Sequence, residues 1–274
     1  MDTDRLMALA LQMAGLKEVP ADSEVYVAGG GLGKLLMGID IDEAWLLLAK
    51  QLGYHGVVAH HPAGGSATLH FSQVLTRHRE MMEACGVPKE EAMEAVDELI
   101  SQREVASHAA NYDRVPSFAR LLGMPFMNIH LPLDEIGRRR MAEALEECDT
   151  RSTVSHAIEA LQGLPEFRLA ETTIEVRLGS EKNPLGRWVV AHAAGTNGGY
   201  PVAKAYFSHG VDTLIYIHIS PSELKRLRED AELEGKNLII TGHIASDSLG
   251  INPYVRRLRE EGLEVTCIGG ILEA

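Results

Sequence analysis

The sequence predicts an α/β protein in which strands and helices alternate through both halves of the chain. Three observations carry this. Short β-branched apolar runs, such as Val57-Val58-Ala59 and Leu238-Ile239-Ile240-Thr241, recur between longer segments with helical spacing. Most of these runs lead into a helix-length segment, the pattern of parallel strands joined by crossover helices. Polar clusters follow directly on the strands, where open α/β sheets carry their ligands. At 274 residues the chain is long enough for one large or two small domains with ample core.

Taken in order, Leu6 to Ala14 reads as an amphipathic helix, ended by Gly15 and the break at Pro20. Glu24 to Ala28 is a short strand leading into Gly29-Gly30-Gly31-Leu32-Gly33-Lys34. That loop fails the phosphate-loop pattern, because Ala28 stands where the first glycine belongs and Leu35 where Ser or Thr would hold magnesium. Leu35 to Ile39 is a second strand, and Asp42 caps a helix from Glu43 to Leu52. The next strand ends in His60-His61-Pro62. Helices follow over Phe71 to Cys85 and Lys89 to Glu104, then a strand Val105 to His108, a helix Val115 to Leu122 and a strand Met127 to Leu131 stopped by Pro132. Asp134 to Glu147 and Thr153 to Leu161 are helical. Thr173 to Leu178 alternates with strand period and is expected to form a hairpin with Trp188 to Ala193 across the turn Ser180 to Gly186. Gly195 to Gly199 opens a helix to His209. Asp212 to Ile217, Ser222 to Glu234, Leu238 to Thr241, Asp247 to Glu261 and Val265 to Ile268 complete a second α/β region.

A net charge of -13 argues against a protein that reads nucleic-acid phosphates by charge. Arg138-Arg139-Arg140 is too short a cluster to overturn that. Cys85, Cys148 and Cys267 are odd in number and widely spaced, so neither a disulfide framework nor a thiolate zinc motif can be built from them. A reducing, cytoplasmic location is expected. The first residues are acidic rather than basic, unlike a secretory signal, and no apolar run approaches the roughly 20 residues a membrane span needs.

The chemistry gathers at strand ends. His60 and His61 close one strand, His108 with Asn111 and Asp113 another, and His243 with Asp247 a third. Adjacent strand residues face opposite ways, so His60 and His61 suit two neighbouring metals better than chelation of one. His60, His61, Asp113, His243 and Asp247 offer three imidazoles and two carboxylates, a donor set suited to zinc, iron or manganese. These donors exceed the needs of one tetrahedral ion. Asp113 is the candidate bridge between two ions about 3.5–4 Å apart. Each residue taken singly also has a local role open to it: Asp113 and Asp247 as helix caps, His243 as a turn residue. His108 is the candidate proton shuttle or ligand-orienting group. Gly195, Thr196, Asn197 and Gly198, at a helix start, are the candidate binding loop for a substrate anion, or else a plain strand-to-helix turn. His130 and His218 also lie at strand ends and read first as structural histidines.

Joined in this order, Gly38-Ile39-Asp40 through His60-His61-Pro62, Ser107 to Asp113, Gly195-Thr196-Asn197-Gly198-Gly199 and Gly242 to Asp247 resemble the Nif-three-like family, also known as type 2 GTP cyclohydrolase I-like proteins. The resemblance spans nearly the whole chain. It implies two similar α/β lobes with a dinuclear metal site in the cleft between them. The implied division is an N-terminal lobe 1–132, a helical connection with hairpin strand 133–186, and a C-terminal lobe 187–274. It also implies two divalent ions per subunit held by His60, His61, Asp113, His243 and Asp247, and self-assembly as a toroidal hexamer. Asp247 stands where the family usually has Glu. Two functions follow from this: a metal-dependent hydrolase acting on a nucleotide or phosphoester-like anion, or a non-catalytic metal-binding ring that works through partners.

Overall fold

The structure, a computed structural model, describes residues 1–149 and 151–274. The chain begins with α1 (Thr3–Ala14), β1 (Glu24–Val27), β2 (Lys34–Gly38), α2 (Glu43–Gln51), β3 (Gly56–Ala59) and α3 (Gly65–Leu69). After a 3-10 turn it continues through α4 (Arg77–Ala84), α5 (Lys89–Ala109), α6 (Arg114–Leu122), β4 (Phe126–Asn128), α7 (Leu131–Ala144), α8 (Val154–Gln162) and α9 (Pro165–Leu169). The remainder is β5 (Glu175–Leu178), β6 (Trp188–Val190), α10 (Gly199–Ser208), β7 (Thr213–Tyr216), α11 (Pro221–Glu229), β8 (Asn237–Ile240), α12 (His243–Glu260) and β9 (Glu264–Ile268).

The chain divides into two compact units that are discontinuous in sequence: 1–74 with 103–137 and 247–273, and 75–102 with 138–246. The first holds a five-stranded sheet in the order β1-β4-β3-β2-β9. β9, β2, β3 and β4 run parallel, and β1 closes one edge antiparallel to β4. Strand alternation sends Leu35 and Met37 to one face and Leu36 to the other. The first face packs on Leu6 and Leu9 of α1 and on Ile251, Tyr254, Val255 and Leu258 of α12. The second packs on Leu46 and Ala49 of α2 and Val115 and Ala119 of α6. With both faces covered, the strands read as continuous apolar runs.

The second unit repeats this plan. Its sheet has the order β5-β8-β7-β6, with β6, β7 and β8 parallel and β5 antiparallel at the edge. Leu214, Ile215, Tyr216, Leu238 and Ile239 are fully buried in it.

Four expectations are corrected. Val105 to His108 is the last turn of α5 rather than a strand. No Gly or Pro interrupts the sequence between Pro88 and Pro116, so the helix propagates through these four residues, too few to specify a strand against it. Pro132 lies in the first turn of α7, where its missing N–H costs nothing, so it starts a helix rather than ending a strand. β5 pairs with β8 and not with β6. The turn between β5 and β6 is instead tied to the start of α8, through Val154 N–H to the Asn183 carbonyl and Leu185 N–H to the Ser152 carbonyl. Finally, the boundaries at 132 and 187 do not match the compact units, because the apolar face of α12 and the pairing of β9 with β2 place residues 247–273 in the first unit.

His78 of α4 is fully buried in the second unit, and its Nε2 lies 2.9 Å from the Thr196 carbonyl, to which it donates. Burial drives its pKa down to about 4, against the upward pull of that hydrogen bond. The folded chain therefore keeps His78 neutral where the unfolded chain, near 6.5, takes up a proton. Stability is full above pH 6.5 and falls as pH drops towards 4, by on the order of 3 kcal/mol. His78→Gln is expected to flatten the denaturation midpoint against pH across that window. An unchanged slope would assign the acid sensitivity to other groups.

Candidate metal centre

β3 ends at Ala59, and the chain beyond it is held to the neighbouring segment by His60 N–H to the Gly38 carbonyl (2.9 Å) and His61 N–H to the Ile39 carbonyl (3.0 Å). Because the strand has ended, strict alternation no longer separates the two rings. Their centroids lie 5.0 Å apart, and His130, two residues after β4, places its ring 5.0 Å from His60 and 5.5 Å from His61.

Each of the three imidazoles is fixed at Nδ1 by an oxygen. His60 Nδ1 lies 3.0 Å from the Ile129 carbonyl, His61 Nδ1 lies 2.8 Å from Asp40 Oδ1, and His130 Nδ1 lies 2.7 Å from Asp22 Oδ2. An Nδ1–H bound in this way leaves the Nε2 lone pair as the free donor, the usual arrangement of a metal-ligating histidine. The three Nε2 atoms converge on two buried carboxylates. His60 Nε2 is 3.2 Å from Asp134 Oδ1 and 3.9 Å from Asp247 Oδ2. His61 Nε2 is 3.4 Å from Asp247 Oδ2, and His130 Nε2 is 3.6 Å from Asp134 Oδ2.

Beneath the rings, Asn128 ties the segment before β1 to β4, donating to the Asp22 carbonyl (2.7 Å) and accepting from Tyr26 Oη (2.7 Å). Ser23 Oγ accepts from His130 N–H (2.9 Å). The orienting carboxylate of Asp22 is thus fully buried and held in place.

The donor chemistry fits a divalent metal. His60 Nε2 is buried and makes no hydrogen bond, despite its carboxylate neighbours, which is a state that costs free energy unless the lone pair is used. His60, His61 and His130 form one group able to share an ion, and His60, Asp134 and Asp247 form another. Burial opposes charge on His130, but Asp134 and Asp22 outweigh it and lift its pKa to about 9. Burial likewise opposes charge on His61, and the hydrogen bond and charge of Asp247 outweigh it, so its pKa also rises. Protons therefore compete with metal at these rings, and metal binding tightens with rising pH.

The structure brings together some of the predicted residues and not others. His60, His61 and Asp247 meet within the first unit. His243 opens α12 one helical turn ahead of Asp247, and its ring stacks on His218 at 4.6 Å. Asp113 is not brought to the cluster. It precedes α6, is half exposed and pairs with Arg120 at 2.5 Å, and the carboxylate beside His60 is Asp134 instead. His108 is exposed on the last turn of α5 and belongs to none of the metal-capable groups among the described residues.

In the Gly195 to Gly198 loop three polar groups are engaged within the second unit. Asn197 Oδ1 accepts from Ile217 N–H (2.9 Å), Thr196 Oγ1 accepts from Gly198 N–H (3.2 Å), and the first turn of α10 is met by Glu223, whose Oε2 accepts from Tyr200 N–H (2.7 Å).

His130 and Asp134 were missed, yet a signal for them exists. His130-x-x-x-Asp134 follows β4 and His243-x-x-x-Asp247 follows β8, the strand beside the antiparallel edge in each sheet. The same spacing at the same topological position marks both pairs, and in each the four-residue interval puts imidazole and carboxylate on one helical face.

Comparison with solved structures finds a protein from Sphaerobacter thermophilus, described as a NIF3 superfamily protein, at 54% identity over 98% of each chain with a TM-score of 0.94. Reduced HcgD from Methanocaldococcus jannaschii is similar in fold at 12% identity over 97% of each chain, TM-score 0.57. Protein ybgI, of unknown function, aligns at 17% identity over 98% of each chain, TM-score 0.52. No protein-family model matches the sequence. No curated protein matches it.

Proposed function

The chain belongs to the NIF3 superfamily, and from that footing we propose that it is a metal-dependent hydrolase acting on a small anionic substrate of the nucleotide or phosphoester class. The observation that carries the reading is the common orientation of His60, His61 and His130, each fixed at Nδ1 by an oxygen with Nε2 turned towards Asp134 or Asp247. These five residues would hold the metal. Three imidazoles and two carboxylates exceed one tetrahedral shell, which supports two divalent ions per subunit, with zinc, iron or manganese as the matching metals. A divalent ion supplies Lewis acidity and positive charge for a phosphoryl or carbonyl-like centre.

The protein's own part is positional. Ile129, Asp40 and Asp22 fix the tautomers of the rings, and the buried carboxylates balance positive charge. The cluster opens to solvent on the side of His61, whose side chain is 21% exposed beside an 83% exposed Asp40. An accessible side supports catalysis over a closed structural site.

Among the described residues no helix is long and apolar enough to cross a membrane, and the three cysteines are free thiols, which supports a cytoplasmic location. The toroidal hexamer remains part of this reading on the resemblance alone.

The test is release of inorganic phosphate or ring-opened base from a nucleotide and phosphoester panel, with metal-loaded and metal-stripped protein side by side. The expected result is turnover that requires metal and falls about a hundredfold or more in Asp134→Asn, by analogy with loss of a preorganised charged group. Equal, background-level activity in loaded and stripped protein would set the hydrolase aside in favour of the non-catalytic metal-binding ring.

A further inference from the structure

In the first unit, α2 carries more apolar surface than its own sheet can cover. Leu46 and Ala49 face inward, to the second face of that sheet. The only charges on the helix, Glu43 and Lys50, are two turns apart and so share one side. Glu43 meets Arg114 of α6 there at 3.0 Å, which makes that side the flank towards α6. The face turned away from the sheet is Ala44, Leu47, Leu48 and Gln51, at i, i+3, i+4 and i+7, and all four residues are exposed. Leu47 is 41% exposed, Leu48 40%, and Leu52 just beyond them 57%. Leu121 on the adjoining α6, 80% exposed, widens the patch. An isolated surface leucine needs no explanation, but a helix apolar on both its inner and outer faces is the pattern of a buried helix.

The same layer is electrically polar along its length. α2 and α6 run in the same direction: Glu43 and Arg114 join their starts, and Lys50 and Gly123 at their ends line one shallow depression. Their dipoles therefore add. Glu43 and Asp113 are answered by Arg114 and Arg120. Asp42 is left at the exposed start of α2, and Lys50 at its end has no ion pair among the described residues. A face negative at one end and positive at the other is complementary to its own copy turned through a two-fold axis. In that antiparallel arrangement Leu47 and Leu48 pack on their counterparts, and the small Ala44 sits beside the bulkier Leu52. Lys50 reaches the acidic start of α2 in the other copy, and the helix dipoles oppose. A lipid surface fits worse, because interfacial helices draw on Lys and Arg against anionic headgroups, and α2 has one lysine in a chain of net charge -13.

We propose that the outer face of α2, with Leu121 of α6, is an isologous two-fold interface between two copies of this chain. The inference rests on the self-assembly already proposed, for which it supplies the two-fold contact, and it is independent of the hydrolase chemistry. Three such pairs would close a hexamer.

The test is light scattering on the wild type and on Leu48→Glu. Position 48 is exposed, so the core is left intact and the melting temperature of the dissociated chain reports folding separately. The axis doubles the substitution and buries two unpaired carboxylates side by side, so the dissociation constant is expected to rise about a hundredfold or more. A dimer then becomes a monomer, and a hexamer becomes trimers. Leu48→Cys gives a second readout that misfolding cannot imitate. A short bismaleimide is expected to join it into covalent pairs of chains. Ala8→Cys, exposed on α1 at the opposite face of the sheet, and the wild type with its three native cysteines are expected not to pair. A wild type that is monomeric at micromolar concentration would overturn the self-assembly and this face together. An oligomer unchanged by Leu48→Glu, or Leu48→Cys that pairs no more than Ala8→Cys, would leave the self-assembly standing and overturn the face alone. Binding of a monomeric wild type to anionic vesicles, lost in Leu48→Glu, would assign the face to lipid instead.

Discussion

His60→Ala combined with His61→Ala is expected to lower bound metal in the purified protein by about tenfold or more, measured by elemental analysis after purification without added metal. The two rings supply two of the three Nε2 donors, and they are the ones that reach Asp247. What remains is His130 with two carboxylates, a donor set that competes poorly for a transition metal. The single variants should fall between, with His60→Ala the more damaging, since His60 is fully buried and faces both Asp134 and Asp247 while His61 is partly exposed. Asp22→Asn leaves every donor in place and weakens the support of His130 only, so it is expected to cost roughly 10–100-fold in metal affinity. Asp113→Asn provides the contrast. Its carboxylate is engaged with Arg120 away from the rings, so metal content should not change. Unchanged metal in a folded double variant would remove the site, and metal loss in Asp113→Asn would return the bridging role to that residue.

The sequence made the fold class legible because the β-branched runs are short, strongly apolar and punctuated, and a sheet covered on both faces demands such runs. His60-His61-Pro62 was legible for the same reason: it closes the run that forms β3. What failed was long-range pairing. Nothing local in Thr173 to Leu178 distinguishes β8 from β6 as a partner, and nothing in Val265 to Ile268 says that it returns to β2. Those choices are made by burial of the apolar face of α12 and by sheet order, which are properties of the whole unit. Val105 to His108 failed locally, since three apolar or small residues cannot stop a helix that has no breaker. Asp113 failed with it. Once α5 runs to Ala109, the segment that follows is no longer a strand exit, and its carboxylate is delivered to the surface. Asp134 escaped notice because Pro132 reads as a stop when it is in fact a helix start. The repeated His-x-x-x-Asp spacing would have recovered it, though only by comparing the two halves at strand ends rather than scanning for tandem similarity.

Gly250→Ala is expected to destabilise the protein by about 1–3 kcal/mol or more and to weaken metal binding at the same time. Inside an exposed helix the same change stabilises by up to about 1 kcal/mol, because alanine is the better helix former. Here the surroundings reverse the sign. A Cβ on Gly250 would lie 1.9 Å from the Leu133 carbonyl oxygen and 3.2 Å from the Gly137 amide nitrogen. Both obstacles are backbone of α7, so no side-chain rotation can relieve the overlap, and α7 and α12 must move apart. That crossing also sets the site. Asp134 follows Leu133 directly, and Asp247 lies three residues before Gly250, nearly one turn along α12. The close backbone approach is what allows both carboxylates to reach His60 Nε2, at 3.2 Å and 3.9 Å. Separating the helices by the width of a methyl group would carry Asp247 away from Asp134 and leave at least one of them beyond the rings. Gly30→Ala is the matched control, because a Cβ there meets nothing within 4 Å. Its melting temperature and metal content should equal those of the wild type. Differential scanning calorimetry with elemental analysis on the two variants separates the outcomes. A Gly250→Ala protein that melts with the wild type and keeps its metal would show that the α7–α12 crossing does not position the two carboxylates.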